Sequence, residues 1–149
     1  QHGLHVTAMD ASPVGMDKAR KLAAENNVTI DFQLADLRQW DWGAQQYDMV
    51  VAIFIQFADP AFRAEIFDGM KRALKPGGTI LLHGYTPKQI DYKTGGPGVL
   101  ENLYTEDMLR DAFGDMQINQ LTAYDKEIHE GPGHSGMSAL IDLIATKPA

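Results

Sequence analysis

Cysteine is absent from the 149 residues, which removes disulfides, thiolate zinc sites and cysteine nucleophiles together. Positive charge is scarce as well: 13 Lys and Arg stand against 20 Asp and Glu, for a formal net charge of -7. Such a chain repels a phosphate backbone, and no window concentrates Lys and Arg between aromatic residues, so nucleic acid is not expected as a partner. No apolar run nears the ~20 residues that a membrane span requires. The opening Gln1-His2-Gly3-Leu4 has neither the basic region nor the apolar core of a signal peptide. These absences point to a cytoplasmic protein, and a first residue other than methionine points to a processed or excised start. Repeats and low-complexity tracts are also missing.

What is present is the alternation of an α/β protein. A hydrophobic content of 44% over this length suits one domain spanning 1–149. Residues 4–9, ending in Asp10, form a short continuous apolar stretch like a buried parallel strand. Ser12 and Pro13 then supply an N-cap and a first-turn residue for a helix to about residue 26, with Met16, Ala19, Leu22 and Ala23 at helical spacing. Residues 28–34 and 47–57 are further strands, the latter so uniformly apolar that it is expected at the centre of the sheet. Phe62, Ile66, Phe67, Met70 and Leu74 mark one face of a second helix, closed by Lys71, Arg72, Lys75 and Pro76-Gly77-Gly78. A strand over 79–83, a Gly- and Pro-rich loop over 93–98 placed to cover a substrate, and a helix over 106–113 capped by Thr105 follow. Strands over 117–128 and 137–146, joined by Glu130-Gly131-Pro132-Gly133-His134, close the chain as an antiparallel hairpin.

In open parallel sheets, ligands bind beyond the carboxyl ends of the strands. Asp10 closes the first strand, where a carboxylate can accept hydrogen bonds from both hydroxyls of an adenosine ribose; a capping or turn role accounts for it equally well. Asp36 follows the second strand, where its carboxylate and the next N–H can meet an adenine edge while Leu37 packs on the ring; alone, it reads as a loop aspartate. Ile53-Phe54-Ile55-Gln56-Phe57 can floor a pocket in which Gln56 is the one strong hydrogen-bonding group, although core packing suits most of these residues. Where a pocket forms, His83 or Tyr85 can act as a substrate-side base or orienting group, with Lys88 and Tyr92 nearby, although surface or hairpin packing suits these residues better. His129 and His134 flank Glu130, but Gly131, Pro132 and Gly133 between them make a turn, not the helical face of a zinc site. Gly133-His134-Ser135-Gly136 lacks the full Gly-x-Ser-x-Gly of a hydrolase elbow and precedes a strand.

Taken in order, Val6-Thr7-Ala8-Met9-Asp10-Ala11-Ser12, Ala35-Asp36, Tyr47-Asp48-Met49-Val50-Val51 and Leu74-Lys75-Pro76-Gly77-Gly78 resemble the successive motifs of class I S-adenosylmethionine-dependent methyltransferases. Glu101-Asn102-Leu103-Tyr104-Thr105, the segment 130–136 and Ala145-Thr146-Lys147-Pro148 are similar to a bacterial group of small methyltransferases related to tellurite-resistance enzymes. The resemblance spans nearly the whole chain. It implies a Rossmann-like, mostly parallel sheet with helices on both faces and a C-terminal antiparallel hairpin. It further implies S-adenosylmethionine as cofactor and a small-molecule acceptor. By the same resemblance Asp10 and Ala11 lie at the ribose, Asp36 and Leu37 at the adenine, and the stretch from Phe54 to Phe57, with Gln56, below the methionine portion.

The family has a first strand and a Gly-x-Gly-x-Gly loop ahead of the position of Gln1, and this sequence shows neither. In the usual strand order that strand lies between those ending at Asp10 and Ile55, so two apolar edges are expected to be exposed. The two strands can pair directly, a separate N-terminal fragment can complete the sheet, or two chains can cover each other's edges; a homodimer, the simplest remedy, is expected. Two other readings follow from the same residues. One is a non-catalytic remnant of a methyltransferase that binds cofactor weakly or not at all. The other is a nicotinamide dehydrogenase with Asp10 at the ribose, which Asp36, the terminal hairpin and the lack of a Tyr-x-x-x-Lys pair fit less well.

Overall fold

The computed structural model describes residues 3–129, 131 and 133–149. Gln1, His2, Glu130 and Pro132, which figure in the readings of the N-terminus and the hairpin turn, lie outside the described residues. The chain divides into two compact units, the first ending at Asp41 and the second running from Trp42 to Ala149.

The first unit is a β-α-β element. Strands β1 (Thr7–Asp10) and β2 (Asp31–Leu34) pair in parallel with Asp10 opposite Leu34, and helix α1 (Pro13–Glu25) connects them. Ser12 caps α1 as its composition predicts: the Oγ accepts from Gly15 N at 3.0 Å, satisfying one of the first-turn N–H groups. Met16 and Ala23, seven residues apart, are the buried residues of the helix. Both strands are shorter than their apolar stretches, because pairing begins only where the two segments run side by side. Before β1, Val6 contributes just a carbonyl, which accepts from Asp31 N at 2.9 Å.

The second unit carries a four-stranded sheet in the order β3 (Tyr47–Ile53), β4 (Leu74–Tyr85), β6 (Ser135–Thr146), β5 (Gln117–His129). The pair β3·β4 is parallel, whereas β4·β6 and β5·β6 are antiparallel. Helix α2 (Pro60–Ala73) makes the crossover between β3 and β4, with Asp59 Oδ1 accepting from Phe62 N at 2.9 Å as its cap. Its buried face is Phe62, Ile66, Phe67, Met70 and Ala73. Two carbonyls near its C-terminus, those of Lys71 and Leu74, accept from Lys147 Nζ at 2.8 Å each, where a cation opposes the negative end of the helix dipole. Short helices α3 (Gln89–Tyr92) and α4 (Glu106–Ala112) flank a 3-10 turn at Leu100–Asn102, and Thr105 caps α4 by accepting from Met108 N at 3.2 Å.

The core of the second unit is built on β4 and β6, where Ile80, Leu82, Ile141, Leu143 and Ala145 are fully buried. The apolar β3 occupies the edge of this sheet and not its centre. Its single ladder partner among the described residues is β4, and Met49, Val51 and Ile53 are 54%, 51% and 55% exposed. No helix among the described residues is long and apolar enough to cross a membrane.

The contact of Gly69 on α2 with Trp42 gives a test of this packing. A Cβ at Gly69 would sit 2.5 Å from the indole. In a free helix, Gly→Ala stabilises by about 1 kcal/mol; here the overlap, about 1–3 kcal/mol for an overpacked site, outweighs that gain. Gly69→Ala is expected to lower the unfolding free energy by about 1 kcal/mol in urea titrations and to shift Trp42 fluorescence.

Candidate functional site

In the first unit, both sequence-predicted carboxylates stand beyond the carboxyl ends of adjacent parallel strands. Asp10 Oδ1 accepts from Ser12 N at 2.8 Å, and Asp36 Oδ1 accepts from Arg38 N at 2.9 Å. Each side chain thus closes a local Asx turn through one oxygen while remaining exposed. Ala35 N donates to Asp10 O at 3.1 Å, which ties the two strand ends together. Ala11 is exposed and Leu37 half-buried. The turn role and the ligand role weighed for these residues are therefore compatible, since the turn fixes the carboxylate without burying it.

In the second unit, the end of β3 shapes a separate pocket of about 320 Å³ lined by Phe54, Gln56, Phe57, Tyr85, Gly96, Pro97 and His134. Phe54 has φ 53°, a left-handed conformation that costs a bulky residue of order 1–3 kcal/mol and commonly marks a functional wall. Its N–H donates to His83 O at 2.9 Å, and its ring stacks on Tyr85 with centroids 4.6 Å apart. His83 meets the Phe54 ring edge-on at 4.8 Å. Across the sheet, His83 Nδ1 lies 2.6 Å from Asp142 Oδ1, the residue opposite it in the β4·β6 ladder.

Gln56, expected to offer its amide to a ligand, is 3% exposed and has that amide engaged by the protein. Its Oε1 accepts from Tyr85 N at 2.7 Å, and its Nε2 donates to Tyr85 O at 2.8 Å and to Asn102 O at 3.4 Å. Gln56 lines the pocket but chiefly holds Tyr85 in place.

The 93–98 loop forms one wall of this pocket through Gly96 and Pro97. It is pinned by Gln89, a residue with no distinguishing signal in the sequence. Gln89 Nε2 donates to Thr94 Oγ1 and Gly95 O at 3.0 Å each, and its Oε1 accepts from Ala139 N at 2.8 Å. Gly96 has φ 83°, and a Cβ there would meet the Tyr85 ring at 2.9 Å, so the close approach of loop to ring requires glycine. His134, whose local sequence suits neither a zinc site nor a hydrolase elbow, joins the pocket instead, with its Nδ1 3.1 Å from the Tyr85 hydroxyl. His129 is engaged elsewhere, with Nδ1 3.0 Å from Ser135 Oγ. Lys88 pairs with Asp125, which holds the ammonium well above and the carboxyl below their ordinary ranges, and its Nζ lies 5.2 Å from the Tyr92 ring centre. That group braces the surface and does not line the pocket.

A family model described as a methyltransferase domain matches residues 1–78. The ribosomal protein L11 methyltransferase of Symbiobacterium thermophilum is 38% identical over 79 residues, covering 53% of this chain and 24% of that protein. TehB from Haemophilus influenzae superimposes with a TM-score of 0.76 at 18% identity, over 97% of this chain and 50% of its own. An S-adenosylmethionine-dependent methyltransferase from Methanosarcina mazei superimposes with a TM-score of 0.77 at 17% identity, over 98% and 83% of the two chains. The chain belongs to the methyltransferase-domain family and has the Rossmann-like α/β fold of class I S-adenosylmethionine-dependent methyltransferases. It spans about a quarter of the curated relative and half of TehB.

One pH dependence follows from this geometry. Burial, then a hydrogen bond to Asp142, pushes the Tyr124 phenol up from 10.0 to about 12. A pKa raised by folding contributes stability that is complete below the unfolded value and is lost as pH rises through the folded one. The Tyr124 contribution therefore disappears between about pH 10 and 12. Ultraviolet titration of the chain against Tyr124→Phe is expected to assign Tyr124 a late phenolate step; a step near pH 10 contradicts this.

Proposed function

We propose that the chain is the S-adenosylmethionine-binding and acceptor-binding part of a methyltransferase that acts on a small molecule in the cytoplasm. The observation that carries this reading is the pair of exposed carboxylates, Asp10 and Asp36, held by Asx turns at neighbouring strand ends. These residues suit the nucleoside half of the cofactor: Asp10 to accept from the ribose hydroxyls, Asp36 to accept from the adenine amino group, and Leu37 to pack against the base. Bound there, the cofactor supplies an activated methyl group on a sulfonium. The protein has chiefly to align an acceptor with the S–CH3 bond, so positioning outweighs acid–base chemistry in what the residues must provide. An apolar pocket with few polar groups favours a small organic acceptor over a macromolecule.

The exposed apolar edge of β3 favours association, and the reading includes a homodimer in which this edge is covered. Calorimetric titration with S-adenosylhomocysteine, with mass measured by light scattering on the same sample, tests both parts. Micromolar binding by a dimer is expected, and Asp10→Ala is expected to weaken binding by about tenfold or more, the worth of a charge-assisted hydrogen-bond pair. A dimer without binding supports the non-catalytic remnant, and a stable monomer refutes the edge-pairing account.

A further inference from the structure

The walls of the second-unit pocket are unusually uniform in chemistry. Phe54, Phe57, Tyr85 and Pro97 present apolar surface, Gly96 presents backbone, and the Gln56 amide is engaged by Tyr85 and Asn102. Among the described residues that line the pocket, the imidazole of His134 is the basic side chain and none is a carboxylate. A cationic acceptor would therefore have no counter-charge, and a multiply charged oxyanion would lose its hydration against apolar walls. What these walls suit is a neutral, largely apolar molecule carrying a single acidic proton.

The rings also share an orientation. Tyr85 and His134 are inclined by 10°, Phe54 and His134 by 21°, and Phe54 and Tyr85 by 23°. A planar ligand can lie along this common orientation with offset-stacked contact. Tyr85 is placed for the purpose by Gln56 on its backbone and by Phe54 and Gly96 against its ring. Its hydroxyl meets His134 Nδ1. When Nδ1–H donates to the Tyr85 oxygen, Nε2 carries the lone pair and is the acceptor nitrogen of the ring.

We propose that this pocket recognises a phenol, a small planar molecule with one acidic O–H, and that His134 Nε2 receives its proton while Tyr85 fixes the tautomer. The reaction assigned to the phenol rests on the methyltransferase reading above. On that reading the bound cofactor would supply a sulfonium methyl group. The phenol O–H would break with its proton passing to Nε2, the oxygen would bond to the methyl carbon, and the carbon–sulfur electron pair would go to sulfur, releasing a neutral thioether. His134, which is exposed, would return the proton to water.

The test is binding, read optically on the whole chain without cofactor, with 4-nitrophenol as probe and 4-nitroanisole as its proton-free counterpart. The chain is expected to bind 4-nitrophenol about tenfold or more tightly than 4-nitroanisole, as one charge-assisted hydrogen bond provides, with growth of the nitrophenolate band. His134→Phe, which keeps an aromatic ring at an exposed position, is expected to bind both probes equally. Tyr85→Phe is expected to reduce the preference while retaining 4-nitroanisole binding. Equal affinities in the unaltered chain, a preference that survives His134→Phe, or failure of both probes to bind would each overturn the proposal. S-adenosylhomocysteine titration of the same preparations separates the two ideas. S-adenosylhomocysteine binding without phenol preference sinks the present inference alone; phenol preference without S-adenosylhomocysteine binding sinks the methyltransferase reading and leaves the recognition intact.

Discussion

Where the β3 ladder stops, the side chain of Gln56 takes over its hydrogen bonding. A primary amide offers the same donor and acceptor as a peptide unit, and Gln56 presents both to the backbone of Tyr85, extending the sheet by one residue without a strand. Each such bond is worth only about 1 kcal/mol net, but removing a buried partner leaves groups whose desolvation costs about 1–3 kcal/mol each. Tyr85 O also accepts from Tyr104 N at 3.0 Å, so the segment after the 3-10 turn docks on the same point.

The pocket is a consequence of that clamp. With Tyr85 fixed, the left-handed turn at Phe54 lays one ring on another, and Gly84 leaves room for the amide: a Cβ there would fall 2.8 Å from Gln56 Oε1. The loop wall follows the same logic with a second buried glutamine, since Gln89 holds Thr94 and Gly95 on one side and the Ala139 N–H of β6 on the other. Two neutral amides thus position an aromatic cavity without placing charge inside it, which suits a site whose ligand is held by shape and by one titratable group. The carboxylates of the first unit are held differently: Asp10 and Asp36 are exposed and fixed by local turns, needing no distant partner.

This difference in range explains what could be read from the sequence. Ser12 and Thr105 announced their helices because capping acts over three residues, and both bond where expected. The turn roles of Asp10 and Asp36 were legible for the same reason, since each stands at the end of an apolar strand. The apolar run from Met49 to Ile53 identified a strand, but its place at the edge of the described sheet depends on ladder partners and not on its own composition. Gln56 stood out as the polar member of an apolar segment, yet its partner lies 29 residues away, and nothing local distinguishes an amide that serves a ligand from one that serves the backbone. Phe54 hid its left-handed φ because that conformation is signalled by Gly or Asn, and Gln89 and His134 acquire their roles only through contacts 50 and 49 residues distant.

The claim on which the pocket rests is that the Gln56 amide, and not solvent, satisfies the Tyr85 N–H. Native-state hydrogen exchange read residue by residue tests it directly. The Tyr85 amide is expected to exchange as slowly as the central β4 amides of Ile80 and Leu82, and to lose that protection selectively in Gln56→Ala. Exchange of the Tyr85 amide at the rate of the exposed loop amides in the unaltered chain would contradict the account.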